Sequence, residues 1–160
     1  MTALVVVVGV LLIGLTLWDA FSTMVLPRTV FAGYRPAHIL FQVNWWVWRS
    51  IGNQIGNRRA RQGFTAFFGP LSVFFLLIFW AGTIIIAFTL LHIGLHTQVQ
   101  GPPGTNRVIT LLYLSGSTFF TLGPGDVNVQ NQLGWLLATC EVAIGFIFLG
   151  MIITRVLPSE

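Results

Sequence analysis

The sequence predicts an all-α membrane protein: a spanning helix and an interfacial amphipathic helix, then two further spanning helices flanking a half-helix that dips into the bilayer. Three observations carry this. Hydrophobic residues make up 55% of the 160 residues and charged residues only 8%, whereas soluble domains carry roughly a quarter charged. Three apolar runs are long enough to span, and the segment between the second and third is short and broken by glycine and proline. No long polar stretch remains from which a soluble domain could be built.

The first run extends from Thr2 to about Leu26 and is free of charge from Leu4 to Leu17. Spanning takes ~20 apolar residues at about 1.5 Å each. The run has no basic start and no small-residue cleavage site before Trp18 and Asp19, so it is read as retained rather than removed as a signal peptide. It also lacks the regular arginine spacing of a voltage-sensing helix. Segment 27–65 follows and holds six of the eight basic residues, all arginine: Arg28, Arg35, Arg49, Arg58, Arg59 and Arg61. A membrane-adjacent loop explains this cluster better than nucleic-acid binding. Basic loops stay cytoplasmic, which puts the N-terminus and residues 97–106 outside and Arg155 inside. Within 36–51, Phe41, Trp45 and Trp48 share one helical face beside Arg49. Such a segment suits the headgroup zone of the inner leaflet; a fourth helix packed under the bundle is the alternative. Asp19 is expected to pair with a nearby arginine such as Arg28. The chain divides into an N-terminal part, 1–65, and a second part, 66–160.

The second run covers Leu71 to Leu95, opened by Gly69-Pro70, where proline suits a first helical turn. The third covers Leu133 to about Ile153 and is closed by Arg155 and Pro158. Between them, Gly101-Pro102-Pro103-Gly104 breaks the chain. A helix over 108–119 would be ~18 Å long, too short for about 30 Å of hydrocarbon. Thr105 or Asn106 can cap its start. Thr121-Leu122-Gly123-Pro124-Gly125-Asp126 comes next, with two glycines and a proline that oppose a helix. Irregular backbone at membrane depth survives only under protein or along a water-filled path. The half-helix therefore enters and an extended segment returns.

Such a segment can replace the water around a cation with a line of backbone carbonyls. For successive carbonyls to point one way, alternate residues must take φ > 0, which glycine does without steric cost. Gly123 and Gly125 have that spacing, and Thr121 adds a hydroxyl. The half-helix also aims its partly negative C-terminus toward the membrane centre.

Thr121-Leu122-Gly123-Pro124-Gly125-Asp126 resembles the potassium-channel signature T-V-G-Y-G-D. The likeness covers roughly residues 66–157: outer helix, pore helix, filter, and an inner helix with a glycine at its start, Gly134, and a hinge glycine, Gly145, nineteen residues after Asp126. The first helix, through Asp19 to Arg28, is more loosely similar to small bacterial ion-channel-family proteins. The resemblance implies a homotetrameric cation channel in a bacterial inner membrane, crossing it several times, with K+ held at Thr121, Leu122, Gly123 and Pro124. Gly125 completes the filter, and Ser117, Thr118, Asp126 and Glu141 support it. Two departures stand out. Pro124 replaces the usual aromatic residue, which removes an N–H and a bracing ring and restricts Gly123. Ser117 stands where some members place Glu, so Asp126 loses that possible partner. A weakly selective channel, or a non-conducting channel-like membrane subunit, is the alternative reading.

Helical spacing puts Val142, Phe146, Leu149 and Ile153 on one stripe, assigned to the cavity. Glu141 then points ~100° away, where it can bond Ser115, Ser117 or Thr118 or serve as a proton-sensing gate. His92 and His96, at i and i+4, are read as interfacial histidines without partners, with a metal or pH site as the alternative. Cys140, the only cysteine, is expected to be an inert buried thiol. Gly116-Ser117-Thr118 is not a nucleophile elbow, and no span carries His, Asp or Glu at metal-ligand spacing. No enzyme activity, resident cofactor, nucleic-acid partner or small-molecule substrate is expected; the bilayer and other copies of the chain are the expected partners.

Overall fold

A computed structural model describes residues 2–24 and 68–156. The basic segment 27–65, the interfacial helix expected over 36–51, and Arg28 lie outside the described residues. Helix α1 is Thr2–Met24 and α2 is Phe68–Gly94. Strand β1 is Val99–Gln100, α3 is Arg107–Phe119, β2 is Asn128–Val129 and α4 is Gln132–Val156. Stretches of 22, 24 and 22 residues in α1, α2 and α4 are long and apolar enough to cross a membrane. The architecture is that of an all-α membrane protein, with one two-stranded ribbon.

The chain forms two compact units, one of Met1–Leu17 with Gly82–Glu160 and one of Trp18–Ala81. In the first, α1 meets α2 through small residues: a Cβ at Gly9 would lie 3.0 Å from the Ala87 carbonyl, and one at Gly94 would lie 2.6 Å from Val6. Small residues let helix backbones approach where lipid supplies no hydrophobic drive. Leu4, Val7 and Leu11 of α1, and Leu133, Leu136 and Ile147 of α4, point away from the chain, as apolar solvent or a neighbouring protein would require.

The end of α2 and the start of α4 are tied by the antiparallel ribbon, which pairs Val99 with Val129 and Gln100 with Asn128. Gln130 N–H donates to the Gln98 carbonyl at 2.8 Å, and Gln98 N–H donates to Asn131 Oδ1 at 3.2 Å. Trp135 Nε1 donates to the Val129 carbonyl at 2.7 Å. Below the ribbon, Leu111, Leu114 and Val127 form a buried cluster with Ile93, Val99 and Val129 against it. Gly134 sits tightly here, since an added Cβ would come within 2.6 Å of Thr97 and 2.8 Å of Asn131. The ribbon seats α3 between α2 and α4.

In the second unit Asp19 is buried, and Trp80 Nε1 donates to its Oδ2 at 2.9 Å. Arginine was the expected partner; the described partner is an indole. A carboxylate out of water needs a donor, and the indole N–H can only donate. Cys140 also departs from expectation, for it is exposed on α4 rather than buried. It precedes Glu141, which faces inward, and one residue turns a helix by about 100°.

Candidate functional site

Helix α3 begins at Arg107 because Asn106, in extended conformation, accepts the Val108 N–H with its side chain at 2.9 Å. That satisfies one orphan donor of the first turn. Thirteen residues give a helix of about 20 Å, one residue longer than the sequence suggests. Its inner face, with Leu111, Leu114, Ser115, Thr118 and Phe119, is buried.

The end of α3 fixes the start of the Thr121–Asp126 segment. Leu122 N–H donates to the Ser117 carbonyl at 2.8 Å, and Thr121 N–H to the Thr118 carbonyl at 3.0 Å. This is the paired bond pattern of a Schellman cap, which needs a left-handed residue. Thr121 takes that role at φ 57°, uncommon for a β-branched residue. Gly123 follows at φ 67°. Positive φ thus alternates at Thr121 and Gly123, not at the expected pair Gly123 and Gly125. The shift toward the helix arises because the cap itself imposes the first left-handed residue. Thr121 Oγ1 donates to the Phe120 carbonyl at 2.7 Å.

Ser117 and Thr118 support the segment through their carbonyls. The Ser117 hydroxyl turns back to the Tyr113 and Leu114 carbonyls at 2.6 and 2.9 Å, so it does not reach toward Asp126. Tyr113, one turn earlier, supplies what Ser117 does not. Its hydroxyl faces Asp126, whose negative charge, with the hydrogen bond it accepts, raises the phenol above its ordinary value. The two share a groove of about 220 Å³ with Pro102, Ile109 and Val127. The sequence signal for Tyr113 was its position eight residues before Thr121 on the face of Ser117.

Within the chain, Thr121, Leu122, Gly123, Gly125 and Asp126 are exposed and Pro124 is half-buried; Leu122 reaches 76%. On α4, Phe146, Leu149 and Ile153 are also exposed and Val142 is half-buried. The opposite face carries Glu141, Gly145 and Phe148, all buried. Phe148 meets the Phe119 ring at 5.8 Å between centroids. Gly145 lies directly under the Phe119 carbonyl, where a Cβ would collide, and α4 runs unbroken through it.

Glu141 is fully buried, with the Ser115 hydroxyl beside its carboxyl. Its Oε2 lies 3.9 Å from His92 Nε2. His92 is itself fully buried, and its Nδ1 shares a hydrogen bond with Thr97 Oγ1 at 3.0 Å. His92 therefore has partners, contrary to expectation. The two histidines also diverge: His96 is exposed at φ 51° in the cap of α2. Among the described residues, no three of His, Cys, Asp and Glu are placed to hold a metal ion.

These features define the class: a multi-helix membrane protein in which a short capped helix delivers an exposed, glycine-containing segment. The chain belongs to the family of Protein LctB of Geobacillus stearothermophilus, with which it is 32% identical over 95 residues, covering 53% of this chain and 70% of that protein. No protein-family profile matches the chain. No solved structure matches it either.

Proposed function

We propose that the chain is the subunit of a homotetrameric, potassium-type cation channel of a bacterial cell membrane, with Thr121 to Gly125 lining the axis. One observation carries this reading. A helix too short to span ends in a cap that starts alternating left-handed backbone at Thr121 and Gly123, and the segment so formed is exposed except at the half-buried Pro124. Alternating φ sign turns successive carbonyls to one side, and a column of carbonyls replaces the hydration of a cation. One chain supplies one column, so several copies must surround the ion. The exposed stripe of Phe146, Leu149 and Ile153 then faces the cavity below.

Pro124 favours a second reading, a weakly selective or non-conducting channel-like subunit, because it offers a carbonyl without an N–H or a bracing ring. Reconstitution in liposomes separates the two. The expected result is potassium flux with a reversal potential that prefers potassium over sodium, less sharply than an aromatic filter would. Pro124→Tyr sharpens that preference. Equal sodium and potassium permeation supports the weakly selective form, and a tetramer by native mass spectrometry without flux supports the non-conducting one. Anion permeation, or monomers alone in lipid, defeats the carbonyl-filter reading.

A further inference from the structure

We propose that His92, Ser115 and Glu141 form a buried binding site for a single exchangeable proton at the meeting point of α2, α3 and α4. The site lies behind the segment assigned to ions and uses none of its residues. Its chemistry follows from four polar atoms that lack partners although fully buried: His92 Nε2, Ser115 Oγ, and both carboxyl oxygens of Glu141. They come from three different helices and converge.

The histidine is anchored from its far side. Thr97 Oγ1 holds Nδ1 at 3.0 Å, and Arg107 Nη2 holds the Thr97 carbonyl at 3.2 Å. The imidazole therefore presents Nε2 to the carboxyl, at 3.9 Å from Oε2. That gap is too long for a hydrogen bond and short enough for strong coupling of charge.

Counting protons decides what the site holds. A carboxylate beside a neutral imidazole leaves one buried negative charge unpaired, and a carboxylic acid beside an imidazolium leaves one buried positive charge. Both are costly. With one proton between them the pair is neutral overall, either as acid plus imidazole or as carboxylate plus imidazolium. The Ser115 hydroxyl can donate to the carboxyl in either form. Among the described side chains of this unit, no other group is placed to balance the charge. Residues 2–17 of α1 carry no titratable side chain. On α2, His96 is exposed. On α3, Arg107 engages the Thr97 carbonyl and Tyr113 faces Asp126. On α4, Cys140 is exposed.

The test reads protonation directly, so it does not depend on ion conduction. The chain has two glutamates, Glu141 and Glu160, and three histidines, His38, His92 and His96. Carbon-13 glutamate and nitrogen-15 histidine labels in the wild-type protein in lipid therefore give few signals. Glu160→Gln, His38→Gln and His96→Gln assign them by elimination without touching the site. At neutral pH the expected spectrum shows one of the two groups protonated: an acid with a neutral ring, or a carboxylate with an imidazolium. A carboxylate with a neutral ring, or an acid with an imidazolium, overturns the proposal.

Discussion

Helices α2 and α3 end in the same way and lead to opposite outcomes. At α2, Thr97 N–H donates to the His92 carbonyl and His96 N–H to the Ile93 carbonyl, with His96 left-handed. At α3, Leu122 and Thr121 make the equivalent bonds to Ser117 and Thr118, with Thr121 left-handed. After the first cap the chain is caught at once: Thr97 is buried and bonded to His92 and Arg107, and Gln98 to Gln100 enter the ribbon. After the second cap the backbone bonds stop at Leu122, and the chain runs largely exposed to Asp126. A Schellman end is thus no mark of function by itself. What distinguishes the α3 end is the largely exposed segment that follows it.

The largest effects should come from filling the tight spots beneath each cap. Gly145→Ala places a methyl group against the Phe119 carbonyl, just before the α3 cap. Gly134→Ala does the same against Val129 and Thr97, just after the α2 cap. Overpacking costs about 1–3 kcal/mol, offset by up to about 1 kcal/mol of helix propensity gained over glycine. We expect both variants to lose about 2 kcal/mol, measured by thermal unfolding in lipid or detergent. If only Gly134→Ala is destabilising, the α3 cap is free to move, and Gly145 is then a hinge rather than a seat.

Smaller effects, opposite in sign, are expected at the left-handed residues. A left-handed L-residue costs about 1–2 kcal/mol, and glycine gives back about 0.5–1 kcal/mol of that through unfolded-chain entropy. Thr121→Gly should therefore gain about 1 kcal/mol in stability, and His96→Gly about 0.5 kcal/mol because histidine tolerates this region better. The comparison sharpens in function. Under the proposed reading, Thr121→Gly lowers potassium preference in a reversal-potential measurement, whereas His96→Gly leaves it unchanged. Equal effects of the two variants on selectivity would remove the distinction between the caps.

The parts visible in the sequence were those written locally. The spans follow from apolar length, and α3 follows from Asn106, Gly101 to Gly104 and the glycines after Thr121. Neither cap was legible, because Thr121 and His96 stand where glycine would have signalled one. Strands of two residues are too short to show alternation, so the ribbon was invisible. Asp19 with Trp80, and His92 with Glu141, join residues on different helices, and a single sequence carries no signal for which buried polar groups meet. The outward turn of Cys140 has the same origin: in an apolar helix with little polar patterning, hydrophobicity does not say which face is packed.

The smallest change expected in stability concerns the far end of the exposed segment, where Tyr113 faces Asp126. Both residues are exposed, so Tyr113→Phe should leave thermal unfolding nearly unchanged. The contact should appear instead in the ionisation of the phenol. Asp126 raises it, first by its negative charge and then by accepting the hydroxyl proton in a hydrogen bond. Each effect favours the neutral, donating form of tyrosine. Tyr34 is the only other tyrosine, so a Tyr34→Phe background isolates the signal. Tyrosinate absorbance should then rise at higher pH than for an ordinary tyrosine, and Asp126→Asn should bring the transition back down. If Asp126→Asn leaves the transition in place, the contact does not form. If Asp126→Asn lowers it and Tyr113→Phe also weakens potassium preference, this pair fastens the one end of the segment that the α3 cap does not reach. Under the proposed reading, that gives the segment around Pro124 an outer brace independent of an aromatic ring, which explains how a proline occupies that position.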